Sequence, residues 1–375
     1  MAMRRVGILT FHHSYNCGSM MQAYALQTIV SRMGYQSSII NFSNAGQKKL
    51  YETFFPVDSL KNVVKNVILL PRKACIERNN DAYKRFITDH FELDGPVVRD
   101  PYALDSDGFD VVIAGSDQIW NITIEDGDDA YFLPWVKDAR KVAYAPSFGA
   151  KNPMKYSDNP QSYASYLKDF NAVSVRERNG QRWIRELAGL DAPVVLDPTL
   201  LLDACDYSAL EQGVSGLPER YIFYYSPGYS ADINRLVERV SRKYELPVVA
   251  FNAKHFYLNG MNFSSKFLLP SVESPATYLS LIKNASVVFT TSFHGTIFST
   301  VYRKPFWTVK NGGMFGDDDR VLTLAATLGL EDRLCPIVFD DGIDYLSDAD
   351  WASFEGFLSV EREKSMAWLS CALAE

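Results

Sequence analysis

Apolar and polar positions along the chain follow two periods in alternation. Val6-Gly7-Ile8-Leu9-Thr10-Phe11 is nearly all apolar, the pattern of a strand buried on both faces of a parallel sheet. After a loop ending at Gly18, residues Met20, Ala23, Leu26, Val30 and Met33 recur at helical spacing, and Gly34 suits the helix end. Ser38-Ile39-Ile40-Asn41-Phe42 reads as a second strand, so this stretch predicts a βαβ unit and a parallel sheet flanked by helices.

From about residue 43 to 102 the strand rhythm lapses and helical stretches such as Asp81 to Phe91 take over, which predicts a partly helical insertion. Strands are then expected at Phe109 to Ala114, Lys141 to Ala145, Ala172 to Val175 and Val194 to Leu196. A polar stretch from Gln212 to Glu219 precedes a second series: strand Tyr221 to Tyr225, helix Ile233 to Tyr244, strand Val248 to Phe251, helix Pro275 to Asn284 and strand Val287 to Thr290. Ser274-Pro275 supplies a cap and a first-turn proline for the second of these helices. Trp351 to Leu373 has the apolar spacing of a terminal helix.

The expected fold is therefore α/β: two Rossmann-like lobes facing a cleft, GT-B-like, with parallel sheets and helices on both faces. The first lobe spans 1–205 and holds the insertion, the second spans 206–350, and 351–375 is a helix that can pack back on the first lobe. Open α/β sheets bind ligands beyond the carboxyl ends of their strands, so the chemistry belongs in the loops that follow them.

Composition narrows the function. At 375 residues the chain exceeds the ~250–300 over which single cores usually stop growing. Its 47% hydrophobic and 22% charged content is that of a packed globular protein. A net charge of -7 with no basic block argues against a nucleic-acid partner. Met1-Ala2-Met3-Arg4-Arg5 leads into a strand pattern and not into a secretory leader, so the expected location is cytoplasmic. The apolar run Val63 to Leu70 is interrupted by Lys65 and Asn66 and closed by Pro71, short of the ~20 residues that a span requires. Cys17, Cys75, Cys205, Cys335 and Cys371 form no Cys-x-x-Cys pair, which argues against a zinc site or a disulfide framework. Asp317-Asp318-Asp319 reads as a solvated cluster at a helix start and Glu125 to Asp129 as a polar turn, so no metal and no cofactor are expected.

His294, in Thr291-Ser292-Phe293-His294-Gly295-Thr296, stands at a strand-to-helix turn. It could meet an anion or transfer a proton, or be a structural hydrogen-bonder; Gly295 would let the backbone approach a ligand. Gly18 and Ser19 open the first helix, and their amides, with Asn16 and Gln22, could line the cleft; tight packing of the turn explains Gly18 equally well. Asp117 could face the cleft or cap the next turn, and Trp120 could line the cleft or be core. Arg176 offers a planar fork for a carboxylate or phosphate, or pairs with Glu177 or Asp197. His12, His13, His90 and His255 carry no motif, and Cys17 is not expected to be a nucleophile.

Several of these stretches, in their order along the chain, resemble the polysaccharide pyruvyl transferase family: Ser14 to Ser19 with Gln22 to Gln27, Val112 to Asn121, Tyr144 to Gly149, Ser174 to Glu177, Leu196 to Thr199 and the His294 turn. The resemblance runs from residue 6 to about residue 333. It implies transfer of pyruvate from phosphoenolpyruvate, as co-substrate, to a diol of a glycan or lipid-linked saccharide, giving a cyclic ketal and phosphate. A lipid-linked acceptor would bring peripheral contact with the inner face of the cell membrane. On this reading His294, Asp117 and Arg176 are catalytic, with Asp117 the base for the sugar hydroxyls. The donor meets Arg176, Ser292, His294, Gly295, Thr296 and Arg320, and the acceptor meets Asn16, Gly18, Gln22, Ser116, Asp117, Trp120 and Asn121. Some members carry an arginine two residues before the histidine; here that position is Ser292, and Arg320 is the candidate replacement ahead of Lys304 and Arg303. A nucleotide-sugar-dependent GT-B glycosyltransferase and a catalytically silent glycan-binding relative are the competing readings.

Overall fold

The computed structural model describes residues 3–260, 265–310 and 318–374. Strands β1 (Arg5–Leu9), β2 (Gln36–Ile39), β3 (Val111–Ala114), β4 (Arg140–Ala143) and β5 (Ala172–Val173) form one parallel sheet in the order β2-β1-β3-β4-β5. Strands β6 (Ile222–Tyr225), β7 (Val248–Ala250), β8 (Val287–Thr290), β9 (Phe306–Val309) and β10 (Leu334–Cys335) form a second, also parallel, in the order β10-β9-β8-β6-β7. Helices cover both faces of each sheet. Every residue of β3, β6, β7, β8 and β9 is buried, which is why these strands are largely apolar in the sequence, with Thr290 and Thr308 the polar exceptions.

Val194 to Leu196 departs from expectation. It touches the first sheet through one isolated bridge, Val175 with Val194, and forms no strand. Pro193 lacks the amide that would extend the ladder.

In each sheet the strand order reverses beside the first strand of the series: between β1 and β3, and between β6 and β8. Such switch points leave a crevice at the strands' carboxyl ends. The loops after β1, β3 and β8 supply part of the site described below, and Arg176, after β5, and Asp197 complete it.

Two elements tie the halves together. In the insertion, helix Lys73–His90 buries Tyr83, Phe86 and Ile87 against the first helix, Cys17–Arg32. Its Asn79 then exchanges two hydrogen bonds with Glu273, Nδ2 to Oε2 at 3.1 Å and Glu273 N to Oδ1 at 3.0 Å. The last helix, Trp351–Ala374, starts against helix Arg320–Leu328. It ends on the first sheet, where Arg4 and Arg140 donate to the carbonyls of Leu373 and Ala372, each at 2.8 Å. These carbonyls belong to the final turn, which has no intrahelical donors, so the arginines satisfy groups that would otherwise be unpaired.

Candidate functional site

Ser292 caps helix Phe293–Val301, its hydroxyl accepting from the Gly295 amide at 3.3 Å, and His294 lies in the first turn with its side chain 10% exposed. From the other sheet, helix Cys17–Arg32 arrives end-on, capped by Asn16, whose Oδ1 accepts from Gly18 N at 2.9 Å. The two helix starts meet so closely that a Cβ on Gly18 would lie 2.1 Å from His294 Nδ1. Both ends carry the positive pole of a helix dipole, which favours negative charge nearby.

That negative charge is supplied by two carboxylates, which also hold a buried arginine. Arg176 Nη1 lies 2.6 Å from Asp197 Oδ2 and Nη2 lies 3.4 Å from Asp117 Oδ1, with the guanidinium over the Phe293 ring at 4.3 Å. Ser19 Oγ donates to Asp117 Oδ2 at 2.5 Å. Thr199 donates twice to Asp197 Oδ1, from N at 3.0 Å and Oγ1 at 2.6 Å. Burial alone would raise both carboxyl pKa values. For Asp117 the fields of Arg176 and His294 and the Ser19 bond outweigh it, and for Asp197 so do His294, Arg176 and Thr199, so both are held below the usual carboxylate range.

His294 Nε2 stands 3.4 Å from Asp197 Oδ2, near enough for an ion pair but without the alignment of a hydrogen bond. Arg176 Nε and Glu177 Oε2 likewise retain unused hydrogen-bonding capacity. Burial pushes the Glu177 carboxyl up to about 7, against the pull of Arg176 and Arg320.

Two cavities adjoin these residues. One, of about 510 Å³, is lined by Arg176, Asp197 and Phe293 together with Arg178, Gln181 and Thr323. Another, of about 270 Å³, opens beside Asn16 between the two halves and is walled by aromatic rings, among them Tyr15, Tyr51, Phe55 and Tyr225, with Lys254 at its edge.

The residues singled out by sequence divide accordingly. Asp117, Arg176, Ser116 and His294 come together, Ser116 Oγ lying 3.4 Å from Asp197 Oδ2, and Gly18 and Ser292 adjoin them. Gln22 lies beneath, its amide group joining Thr10 Oγ1 at 2.8 Å and Ser116 N at 2.9 Å, where it braces the loop without reaching the cleft. Arg320 pairs with Asp318 and is close enough to Glu177 and Asp117 to feel their charge, whereas Arg303 pairs with Glu355 at the surface. Asp317 lies outside the described residues.

Besides Gln22, three further assignments are corrected. Trp120 is fully buried, stacked on Phe132 at 5.1 Å with Nε1 donating to Tyr131 O, so it offers no face to a sugar. Asn121 Oδ1 is spent on the Thr123 amide and hydroxyl in its own turn. Thr296 bonds Ser292 O and Thr308 Oγ1 inside the second lobe. Gly295 also has a different reason from the one expected: a Cβ there would meet Thr290 Oγ1 at 2.2 Å, so the glycine serves helix-on-strand packing. Cys17 is buried beside Tyr83 Oη at 3.1 Å, and burial raises its pKa, which leaves a thiol. His12 is fully buried and held to about 3, mainly by burial, so it stays neutral.

The pairing of Arg176 with Asp197 that the sequence offered as the alternative is present, but buried, and Ser19 enters the site through its hydroxyl, whereas sequence reasoning assigned no functional role to Asp197 or Glu177. Each lies within a stretch already noted, and polar residues following a strand were the available signal.

A family model described as polysaccharide pyruvyl transferase matches residues 16–313. No curated protein matches the sequence. Among solved structures, UDP-GlcNAc 2-epimerase from Methanocaldococcus jannaschii is similar at 10% identity, with 95% of this chain and 92% of that chain covered and a TM-score of 0.47. The UDP-GlcNAc 2-epimerase from Neisseria meningitidis gives 9% identity, 97% and 94% coverage and a TM-score of 0.46. The E. coli heptosyltransferase WaaC gives 12% identity, 95% and 99% coverage and a TM-score of 0.38. At this distance none of them bears on what this chain does.

Proposed function

The chain belongs to the polysaccharide pyruvyl transferase family, and from that premise we propose that it transfers pyruvate from phosphoenolpyruvate to a sugar diol of a surface polysaccharide or its precursor. The observation that carries this reading is the buried cluster of Arg176, Asp117, Asp197 and His294 between two helix starts. It joins fixed positive charge with a group that can move a proton in a place largely shut off from water.

The proton accounting suits one shuttle. The first sugar hydroxyl adds to C2 of the donor, and its proton ends on the methylene carbon, which becomes methyl. The second hydroxyl displaces phosphate at C2, and its proton leaves on the phosphate. Two protons are taken and two delivered, so a histidine that accepts from oxygen and donates again finishes in the state in which it began.

His294 is assigned that task. Asp117, its pKa held down, is a weak base, which revises its expected role: with Asp197 it positions Arg176 and His294. Arg176, through Nε, and Arg320 meet the donor's carboxylate and phosphate, aided by the helix amides beside Ser292.

Ligand-induced thermal shift tests the reading. Phosphoenolpyruvate raises the melting midpoint by mass action, and nucleotide sugars do not. The reverse pattern would point to a glycosyltransferase.

A further inference from the structure

Helix Leu60–Leu69 in the insertion is built inside out. Leu60, Val64 and Val67 recur at helical spacing on one face, and that face is turned outward: they are 85%, 59% and 65% exposed. The polar side points in. Asn66 exchanges two hydrogen bonds with the backbone of Phe55, each 2.9 Å, and of the helix's own residues only Leu69 is buried. Val57 at 80% and Leu70 at 62% exposure extend the patch beyond both ends of the helix. A continuous aliphatic face left in water on this scale marks a contact surface.

We propose that this face seats the protein on the surface of an anionic lipid bilayer. Residues 57–77 hold Lys61, Lys65, Arg72 and Lys73 against Asp58 and Glu77, the latter paired with Lys73 at 3.6 Å, which leaves a local excess of positive charge in a chain of net charge -7. Lys61 falls about 100° around the helix from Leu60, on the flank of the apolar face, where a helix lying in a membrane interface carries its cations, while the Lys65 ammonium lies over the Phe55 ring at 4.3 Å. Protein interfaces, in contrast, are poor in lysine and rest on aromatic or arginine anchors, and this face offers aliphatic side chains alone. The contact is made by the protein's own helix and not through an acceptor, so it does not depend on pyruvyl transfer. Among the described residues no helix is long and apolar enough to cross a membrane, and this one would lie in the interface. Phe55, fixed by Asn66, also lines the aromatic cavity, so the lipid-facing helix and that cavity share a wall.

The test is flotation of the full chain with vesicles of phosphatidylcholine alone and of phosphatidylcholine with phosphatidylglycerol, free of any glycolipid. Wild type floats with the anionic vesicles, less as salt is raised, and the triple variant Leu60→Ser, Val64→Ser, Val67→Ser binds at least about tenfold more weakly. The replaced side chains are exposed, so an unchanged melting midpoint checks the fold. Failure of wild type to float at low salt, or equal flotation of the variant, would overturn the proposal. So would a wild-type dimer in sedimentation velocity that the variant dissolves without any vesicle binding, which assigns the face to a second copy. The vesicles hold no acceptor, so neither result touches the transfer reaction.

Discussion

Gly18 and His294 stand 276 positions apart in the chain and in contact in the fold: the glycine is bare where any Cβ would lie 2.1 Å from His294 Nδ1. Each helix end is fixed by its own cap, Asn16 on the first and Ser292 on the second, so the close approach holds the two in register. The absence of one methyl group thus sets the position of the ring that the proposed mechanism uses.

Gly18→Ala therefore displaces His294. Overpacking of this kind costs about 1–3 kcal/mol, and a misplacement of about 1 Å is enough to lower turnover by about 10²-fold. A denaturant melt and an assay of phosphate release measure the two effects. Full activity in the alanine variant would show that the ring's position is immaterial.

Arg176 is less separable from the fold than sequence suggested. An arginine free to bind donor could be removed with the fold intact, yet here it compensates two buried carboxylates. Arg176→Ala should destabilise by about 3–5 kcal/mol, because it leaves two buried carboxylates uncompensated, and Asp197→Ala by less, because Asp117 still faces Arg176. Urea unfolding checks this, and the double variant should lose less than the two single losses added together. A loss under 1 kcal/mol in Arg176→Ala would contradict it.

What sequence reveals and conceals follows from range. Strands such as β3 and β8 were legible because burial on both faces makes each an apolar run, and helix Pro275–Asn284 because its cap lies in its own first turn. The His294 turn was legible for the same local reasons. Asp117 and Arg176 were named beside it through the resemblance alone, and their shared charge balance with Asp197 was not legible, because the three follow different segments and meet only after folding. Trp120 misled because polar residues surround it in sequence while Phe132, Phe148 and Phe170 surround it in space. The apolar face of helix Leu60–Leu69 is visible as a period, but which side meets water is not.

Glu273 makes a pH test of the link between the halves. Burial pushes its carboxyl up to about 7, despite bonds from the Ala253 and Asn252 amides and Asn79. An unfolded glutamate titrates near ~4.3, so between that pH and about 7 the folded chain holds a proton that the unfolded chain has released. Its contribution to stability is complete below that window and lost as pH rises through it. Glu273→Gln removes the loss: near wild type at pH ~5, the variant gains about 2–3 kcal/mol at pH ~8. His12 titrates in both proteins and cancels in the difference. Parallel stability curves would show that Glu273 is not protonated in the fold.

The central claim is that His294 moves the protons of a pyruvyl transfer, and the most direct measurement follows both products at once, phosphate released from phosphoenolpyruvate and an acceptor glycan heavier by one pyruvate less one water. Wild type should form the two in equal amounts. His294→Asn, which keeps a donor but cannot shuttle a proton, should form both about 10²–10⁴ times more slowly with its melting midpoint nearly unchanged. Turnover by His294→Asn at the wild-type rate, or wild type that leaves phosphoenolpyruvate intact beside a competent acceptor, would contradict the account.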